Sequence, residues 1–321
     1  MNRILVTGGS GFLGRHLLKH LLTLDAEILV PTRFPQTLYP LFGKRNPQLI
    51  ILKGTFYAPD MLAQYQKFKP DAIIHLAAIR GEGNGKWRDY YEVNVKGTEV
   101  LVQFALEHGV QKFIYCSTVG VFGTIPERLP ADPWAPANPD NWYHKSKYLA
   151  ESYVVNELRH RLRFAIVRPT ITYGPGDNGF VAKLTALVKK RMFPLIHANV
   201  LIHLLDVRSF SQALSVILNA PEKEIMVNLA DKEPIPLQRL VDEIHRYFYG
   251  RKYPRWRQVP GALFSAGKAM TRALKLSALN TSLRLLSESW YYDTSHMEQL
   301  HIPQMDTLTG VRHYLKRTYP R

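Results

Sequence analysis

Cysteine is nearly missing from this chain, which carries Cys116 alone among 321 residues. A single thiol can neither close an internal disulfide nor supply a cysteine-rich metal site, so no metal is expected and a reducing compartment fits. The plain reading of Cys116 is a small buried hydrophobe on a strand. No run approaches the roughly 18 apolar residues of a membrane span. The apolar N-terminus is broken at once by glycines, so it reads as a first strand and not as a signal peptide, and the expected location is the cytoplasm. Internal repeats and low-complexity tracts are lacking too. Acids are scarce, 26 against 42 Lys and Arg for a net charge of +16, which favours anionic partners through long-range steering. The scarcity is uneven, because residues 244–287 hold nine Lys or Arg and no Asp or Glu. There Lys268, Arg272 and Lys275 fall on one helical face, while Leu263, Met270 and Leu274 recur at the spacing of an opposite, buried side. Peripheral contact with a membrane surface is therefore an expectation for this stretch. Nucleic acid is not, since the stretch carries no recognisable binding motif.

What the chain does have begins at Thr7-Gly8-Gly9-Ser10-Gly11-Phe12-Leu13-Gly14, between the apolar run Ile4-Leu5-Val6 and a helical pattern with Leu17, Leu18, Leu21 and Leu22. Strand, glycine turn and helix in that order let backbone N–H groups approach a pyrophosphate, with the positive helix end attracting its charge. Gly8, Gly11 and Gly14 are spaced one residue wider at the start than the usual dinucleotide fingerprint, so the setting carries the reading. Strands are expected over residues 27–32, 49–53, 72–77, 112–116 and 163–168, with helices over 59–68 and 91–108 between them. This rhythm predicts an α/β, Rossmann-type, doubly wound parallel sheet. Pro31 is awkward in the second strand because it deletes a ladder donor. After that strand stand Thr32 and Arg33 with no acid nearby. An Arg there can pair with the extra phosphate of NADP, where an NAD site places an acid on the ribose.

Ser117 and Thr118 follow the fifth strand at its carboxyl end, where open α/β sheets place their chemistry. A loop over 134–142 then leads into a helix on which Tyr143 and Lys147 lie one turn apart and share a face. Past residue 170 the pattern changes to short βα pieces, with a helix over 180–191, a strand over 201–205, a helix over 209–219 and a strand over 226–229. The expected division is a dinucleotide-binding domain over 1–170, with segments of about 200–230 returning to the sheet, and a smaller, mostly helical substrate region over 171–321. A last helix is expected over 307–319.

Taken in order, Thr7 to Gly14, His75-Leu76-Ala77-Ala78, Val93-Asn94-Val95-Lys96-Gly97-Thr98, Ser117-Thr118, Tyr143 with Lys147, and Arg168-Pro169 ahead of Tyr173-Gly174-Pro175-Gly176 resemble the extended short-chain dehydrogenase/reductases, the NAD(P)-dependent epimerases and dehydratases. The resemblance implies NADP, favoured by Arg33, or NAD, held by Gly8, Gly11, Phe12, Leu13, Gly14, Ala77, Ala78 and Pro169 together with Tyr143 and Lys147. It implies that Tyr143 exchanges a proton with the substrate oxygen and that Lys147 lowers the Tyr143 pKa. Thr118 would hydrogen-bond the reacting oxygen, with Ser117 as its neighbour in reserve. Asn94 would support a water and the orientation of Lys147, or else mark a break or cap in its helix. Asn178 and Arg208 are candidate substrate contacts. Two departures matter. Val119 and Gly120 stand where sugar dehydratases carry an Asp-Glu pair, which argues against a dehydratase. No acid follows the third strand to contact adenine, since Gly54, Thr55 and Phe56 stand there. The leading expectation is hydride transfer at a secondary alcohol or ketone of a nucleotide sugar, in a homodimer. A reductase or dehydrogenase of a lipid-like alcohol, akin to the 3β-hydroxysteroid dehydrogenase and dihydroflavonol reductase branches, is the alternative, and a non-catalytic cofactor-binding assembly protein is a third.

Overall fold

The computed structural model describes all residues except 81–84, 197–198, 260–264, 268, 272–273, 275–276 and 321. The chain opens with β1 (Arg3–Thr7), α1 (Phe12–Leu21), β2 (Glu27–Thr32), β3 (Leu49–Lys53), α2 (Pro59–Phe68) and β4 (Ala72–His75). It continues through α3 (Gly97–Glu107), β5 (Lys112–Cys116), α4 (Trp142–Leu158) and β6 (Arg163–Pro169). Then come α5 (Phe180–Lys189), α6 (Val207–Asn219), β7 (Glu224–Leu229), α7 (Leu237–Tyr249), α8 (Ser277–Ser287) and α9 (Thr307–Thr318).

The seven strands form one parallel sheet in the order β7-β6-β5-β4-β1-β2-β3. The chain winds outward from β1 to β3 and then crosses back to β4. The strand order therefore reverses between β1 and β4, and the carboxyl ends there open a crevice for ligand. Strands such as Ile4-Leu5-Val6 and Ile73-Ile74 are apolar on both faces because helices cover both. One layer packs Leu17, Leu18 and Leu21 of α1 with Phe210, Leu214 and Ile217 of α6. The other packs Leu101, Val102 and Ala105 of α3 with Ala150, Val154 and Leu158 of α4. Pro31 is accommodated because the β1 ladder ends at the Leu5–Leu29 pair, so Pro31 pairs with β3 alone.

Three sequence expectations are corrected. The helix expected over 91–108 is interrupted: Tyr91–Lys96 forms a π-helical turn ahead of α3. Its wider ring rotates Asn94 into the core, a placement that uniform 3.6-residue periodicity does not foretell. The strand expected over 201–205 does not join the main sheet. It splits into Leu201–Ile202 and Leu204–Asp206, which pair with separate short strands. Only β7 returns, alongside β6. In the basic stretch, Met270 and Leu274 are exposed and not buried. Lys268, Arg272, Lys275 and Leu263 of the proposed helical faces lie outside the described residues.

Candidate active site

The glycine turn is built to bring backbones together. Gly8 has φ +73°, and a Cβ on it would stand 2.6 Å from the amide nitrogen of Ala77 after β4. A Cβ on Gly14 would stand 2.2 Å from the Gly8 carbonyl oxygen. These contacts seat α1 directly over the β1–β4 switch. Gly11 caps α1 without any side-chain hydrogen bond, and the first turn holds no acid. The first N–H groups of the helix, at Phe12 and Leu13, are thus left for an anion. A diphosphate bridge fits this cradle by both shape and charge.

A continuous hydrogen-bonded chain ties the cradle to the chemistry. The Ala77 N–H donates to Thr7 Oγ1 at 3.3 Å, and Thr7 Oγ1 lies 2.6 Å from His75 Nδ1. His75 Nε2 lies 3.0 Å from Thr98 Oγ1, whose hydroxyl donates to the Asn94 carbonyl at 2.6 Å. Because Thr98 spends its proton on Asn94, His75 donates from Nε2 and accepts at Nδ1. Full burial holds its pKa well below the ordinary value, so it stays neutral. The Asn94 side chain then exchanges two hydrogen bonds with the Ile79 backbone and donates to Ser146 Oγ at 2.9 Å. Ser146 in turn donates to the Tyr143 carbonyl. Asn94 is therefore saturated by protein groups, and it fixes the β4 loop against the turn of α4 that carries Tyr143 and Lys147.

Along α4, Tyr143, Lys147 and Glu151 succeed one another at one-turn spacing on the face toward the sheet. Tyr143 is half-buried, and burial pushes its phenol above the ordinary tyrosine value. The Arg80 guanidinium works against that rise. Lys147 is buried with its ammonium 4.1 Å over the Tyr115 ring, and burial lowers its pKa to about 8. Beneath it, Glu151 forms a two-pronged ion pair with Arg168: Nε donates to Oε2 at 3.0 Å and Nη2 to Oε1. Arg168 also donates to the Pro133 carbonyl and lies over the Phe122 ring.

Thr118 accepts the Gly120 N–H at 3.1 Å, which leaves its own proton free to donate to a substrate oxygen. Ser117 is buried next to it with a hydroxyl that has no partner. Gly120 makes room for His144, since a Cβ on it would stand 2.2 Å from that ring. His144 Nδ1 in turn lies 2.8 Å from Asp140 Oδ1, and that carboxyl is held down to about 2 by the His144 and Thr124 hydrogen bonds against the opposing effect of burial.

The structure thus brings together Thr118, Ser117, Tyr143, Lys147 and Asn94, with the cradle residues and Pro169 at neighbouring strand ends. Asn178 reaches the group through Arg80, which donates to it at 3.4 Å. Arg208 is paired with Asp206, which its Nε and Nη2 meet at 2.9 and 2.7 Å. Arg33 stands exposed after β2 over the Phe34 ring, while Thr32 Oγ1 donates to Ser10 Oγ of the glycine turn at 3.0 Å. Glu151, Arg80 and the Asp140–His144 couple were not assigned roles from the sequence, and Arg168 was noted only as part of the Arg168-Pro169 motif. Glu151 carried a local signal too, as the third member of the four-residue spacing begun by Tyr143 and Lys147.

The chain is similar to known proteins in sequence and in fold. GDP-6-deoxy-D-talose 4-dehydrogenase of Aggregatibacter actinomycetemcomitans is 31% identical over 216 residues, covering 67% of this chain and 66% of the relative. UDP-glucose 4-epimerase of Mus musculus is 32% identical over 168 residues, 48% of each chain. The chain therefore spans about half to two thirds of the length of these relatives. Among solved structures, Bordetella bronchiseptica WbmH in complex with NAD+ superposes with a TM-score of 0.78 at 19% identity, covering 99% of this chain and 98% of that one. The model of the NAD dependent epimerase/dehydratase family matches residues 4–230, from the first strand of the glycine cradle through the last strand of the sheet, and the chain belongs to that family.

Proposed function

We propose that this protein moves a hydride to and from a secondary carbinol carbon of a nucleotide sugar, as an epimerase or a dehydrogenase. The observation that carries this reading is the convergence of Thr118, Tyr143 and Lys147 on the carboxyl edge of the sheet beside a cradle shaped for a diphosphate. A bound nicotinamide dinucleotide supplies the hydride acceptor and donor. The N–H groups of Phe12 and Leu13 hold its diphosphate, and Gly8 and Gly14 permit the close approach. Lys147 binds the nicotinamide ribose from its buried position. Thr118 donates to the reacting oxygen, and Tyr143, in its phenolate form, takes the hydroxyl proton as the C–H bond breaks. When hydride is added to the resulting ketone, Tyr143 returns that proton. Addition to the opposite face inverts the carbon, and release of the ketone is the dehydrogenase outcome. Arg80 offsets part of the burial that otherwise keeps the phenol protonated.

Arg33 supports NADP as the preferred cofactor, because it stands free at the end of β2 where a 2′-phosphate would lie. WbmH, which resembles this chain in fold, is a complex with NAD+. No described helix is long and apolar enough to cross a membrane, and a cytoplasmic homodimer remains the assembly we propose. The test is incubation with either cofactor and a panel of UDP-, GDP- and dTDP-sugars, followed by absorbance of the reduced nicotinamide and by NMR of the sugar. Tyr143→Phe is expected to lower turnover by about 10²- to 10⁴-fold while cofactor affinity is kept. Turnover that survives the substitution, or no reaction with any nucleotide sugar, refutes the reading.

A further inference from the structure

Two segments far apart in sequence lie side by side on the surface. Residues 189–196 and 249–259 together hold seven Lys or Arg and no Asp or Glu. The fold ties them at three levels. The Tyr249 hydroxyl donates to the Lys189 carbonyl, with the Arg191 guanidinium 4.1 Å over the Tyr249 ring. The Tyr253 hydroxyl donates to the Phe193 carbonyl at 2.9 Å. Beyond these, Gln258 and Val259 pair in parallel with Leu195 and Ile196. Tyr253 and Phe193 are buried beneath this junction, and the outward positions include the cations Lys190, Arg251, Lys252 and Arg255, the ring of Tyr249 under Arg191, and two large apolar side chains. Met192 is 67% exposed and Trp256 79%.

We propose that this surface docks peripherally on an anionic lipid bilayer. Long apolar side chains standing out of a ring of cations match an interface whose outer layer is negative and whose inner layer is apolar, and tryptophan favours the headgroup level. The net charge of +16 draws the whole molecule toward such a surface, and the local absence of acids orients it. No described helix can span the bilayer, so the attachment is peripheral and reversible. The surface lies on α5, α7 and the segments beyond them, none of which carries Tyr143, Lys147 or Thr118, so the inference stands apart from the proposed reaction.

The test is flotation of the full chain with vesicles of phosphatidylcholine alone and of phosphatidylcholine mixed with phosphatidylglycerol. Binding to the mixed vesicles only, with release at high salt, is expected because surface charges are screened within a few ångströms there. Each cation near an anionic surface contributes roughly a fivefold gain in partitioning, so the double substitution Lys190→Glu with Arg255→Glu is expected to weaken binding at least about 25-fold. Met192→Ser with Trp256→Ser is expected to weaken it while leaving the salt dependence. Both pairs are exposed, and unchanged melting temperatures establish that the variants fold. The contrast between vesicle compositions needs no variant at all. Absence of binding to mixed vesicles, or undiminished binding by the charge-reversed variant, overturns the proposal. So does displacement from vesicles by a random-sequence oligonucleotide that the chain binds more tightly, which would assign the surface to nucleic acid.

Discussion

Arg168→Met isolates the role of the ion pair beneath the helical turn that carries Lys147. The Arg168 and Glu151 side chains are 6% and 5% exposed, and the guanidinium forks onto the carboxylate. Deleting one partner of such a pair strands a buried charge and costs about 3–5 kcal/mol, whereas replacing both by apolar groups of similar size is close to neutral. Here the substitution also removes the hydrogen bond to Pro133 and the contact with the Phe122 ring, which places the expected loss at about 4–5 kcal/mol. For a chain of 321 residues the unfolding entropy converts this into a fall of about 6–7 °C in melting temperature. Arg168→Met combined with Glu151→Leu should recover most of that fall, because it removes the stranded carboxylate. Thermal and urea unfolding of the wild type, both single variants and the double variant give the coupling directly. A double variant no more stable than Arg168→Met, or a single loss under about 1 kcal/mol, would refute the reasoning.

Three further outcomes are expected. Gly14→Ala drives a Cβ to within 2.2 Å of the Gly8 carbonyl oxygen, so it should abolish cofactor binding measured by fluorescence titration and lower stability. Binding close to the wild-type value would contradict the cradle. Lys147 has its pKa lowered by burial to about 8, so between there and its ordinary value of 10.5 the unfolded chain binds more protons and stability rises with pH. Lys147→Met should flatten that rise and increase neutral-pH stability by about 1–3 kcal/mol, the lost contact with Tyr115 offsetting part of the gain, while activity is lost. Melting curves across pH 7–10 decide this, and a variant less stable at neutral pH would contradict it. Arg33→Ala should weaken NADPH about 10- to 100-fold and leave NADH unchanged. Equal effects on both would remove Arg33 from the phosphate site.

How much of this was legible beforehand follows from which forces are local. The parallel sheet could be read because each βα unit carries its own apolar run and breaker, and the helix at Pro59–Phe68 and the strand at Lys112–Cys116 appear at the expected residues. The glycine cradle could be read because close backbone approach demands missing side chains at Gly8 and Gly14 themselves. Tyr143 and Lys147 could be paired because one helical turn is a fixed distance. Asn94 was named, but its saturation by Ile79 and Ser146 depends on a π-helical turn that the apolar pattern of residues 91–108 hides. Arg80 and Tyr143 are 63 positions apart, and Arg168 and Glu151 meet only when β6 is laid against α4. Likewise, the basic stretch showed its charge in the sequence, yet its junction with residues 189–196 arises from two tyrosine hydrogen bonds and one short parallel strand pair. The sequence by itself determined the architecture, the glycine turn and the pairing of Tyr143 with Lys147, since these rest on residue type and short spacing. Tertiary structure alone decided which charges face Tyr143, which carboxylate lies under Lys147 and which cations share a surface, because electrostatic partners are chosen by distance in space and not along the chain.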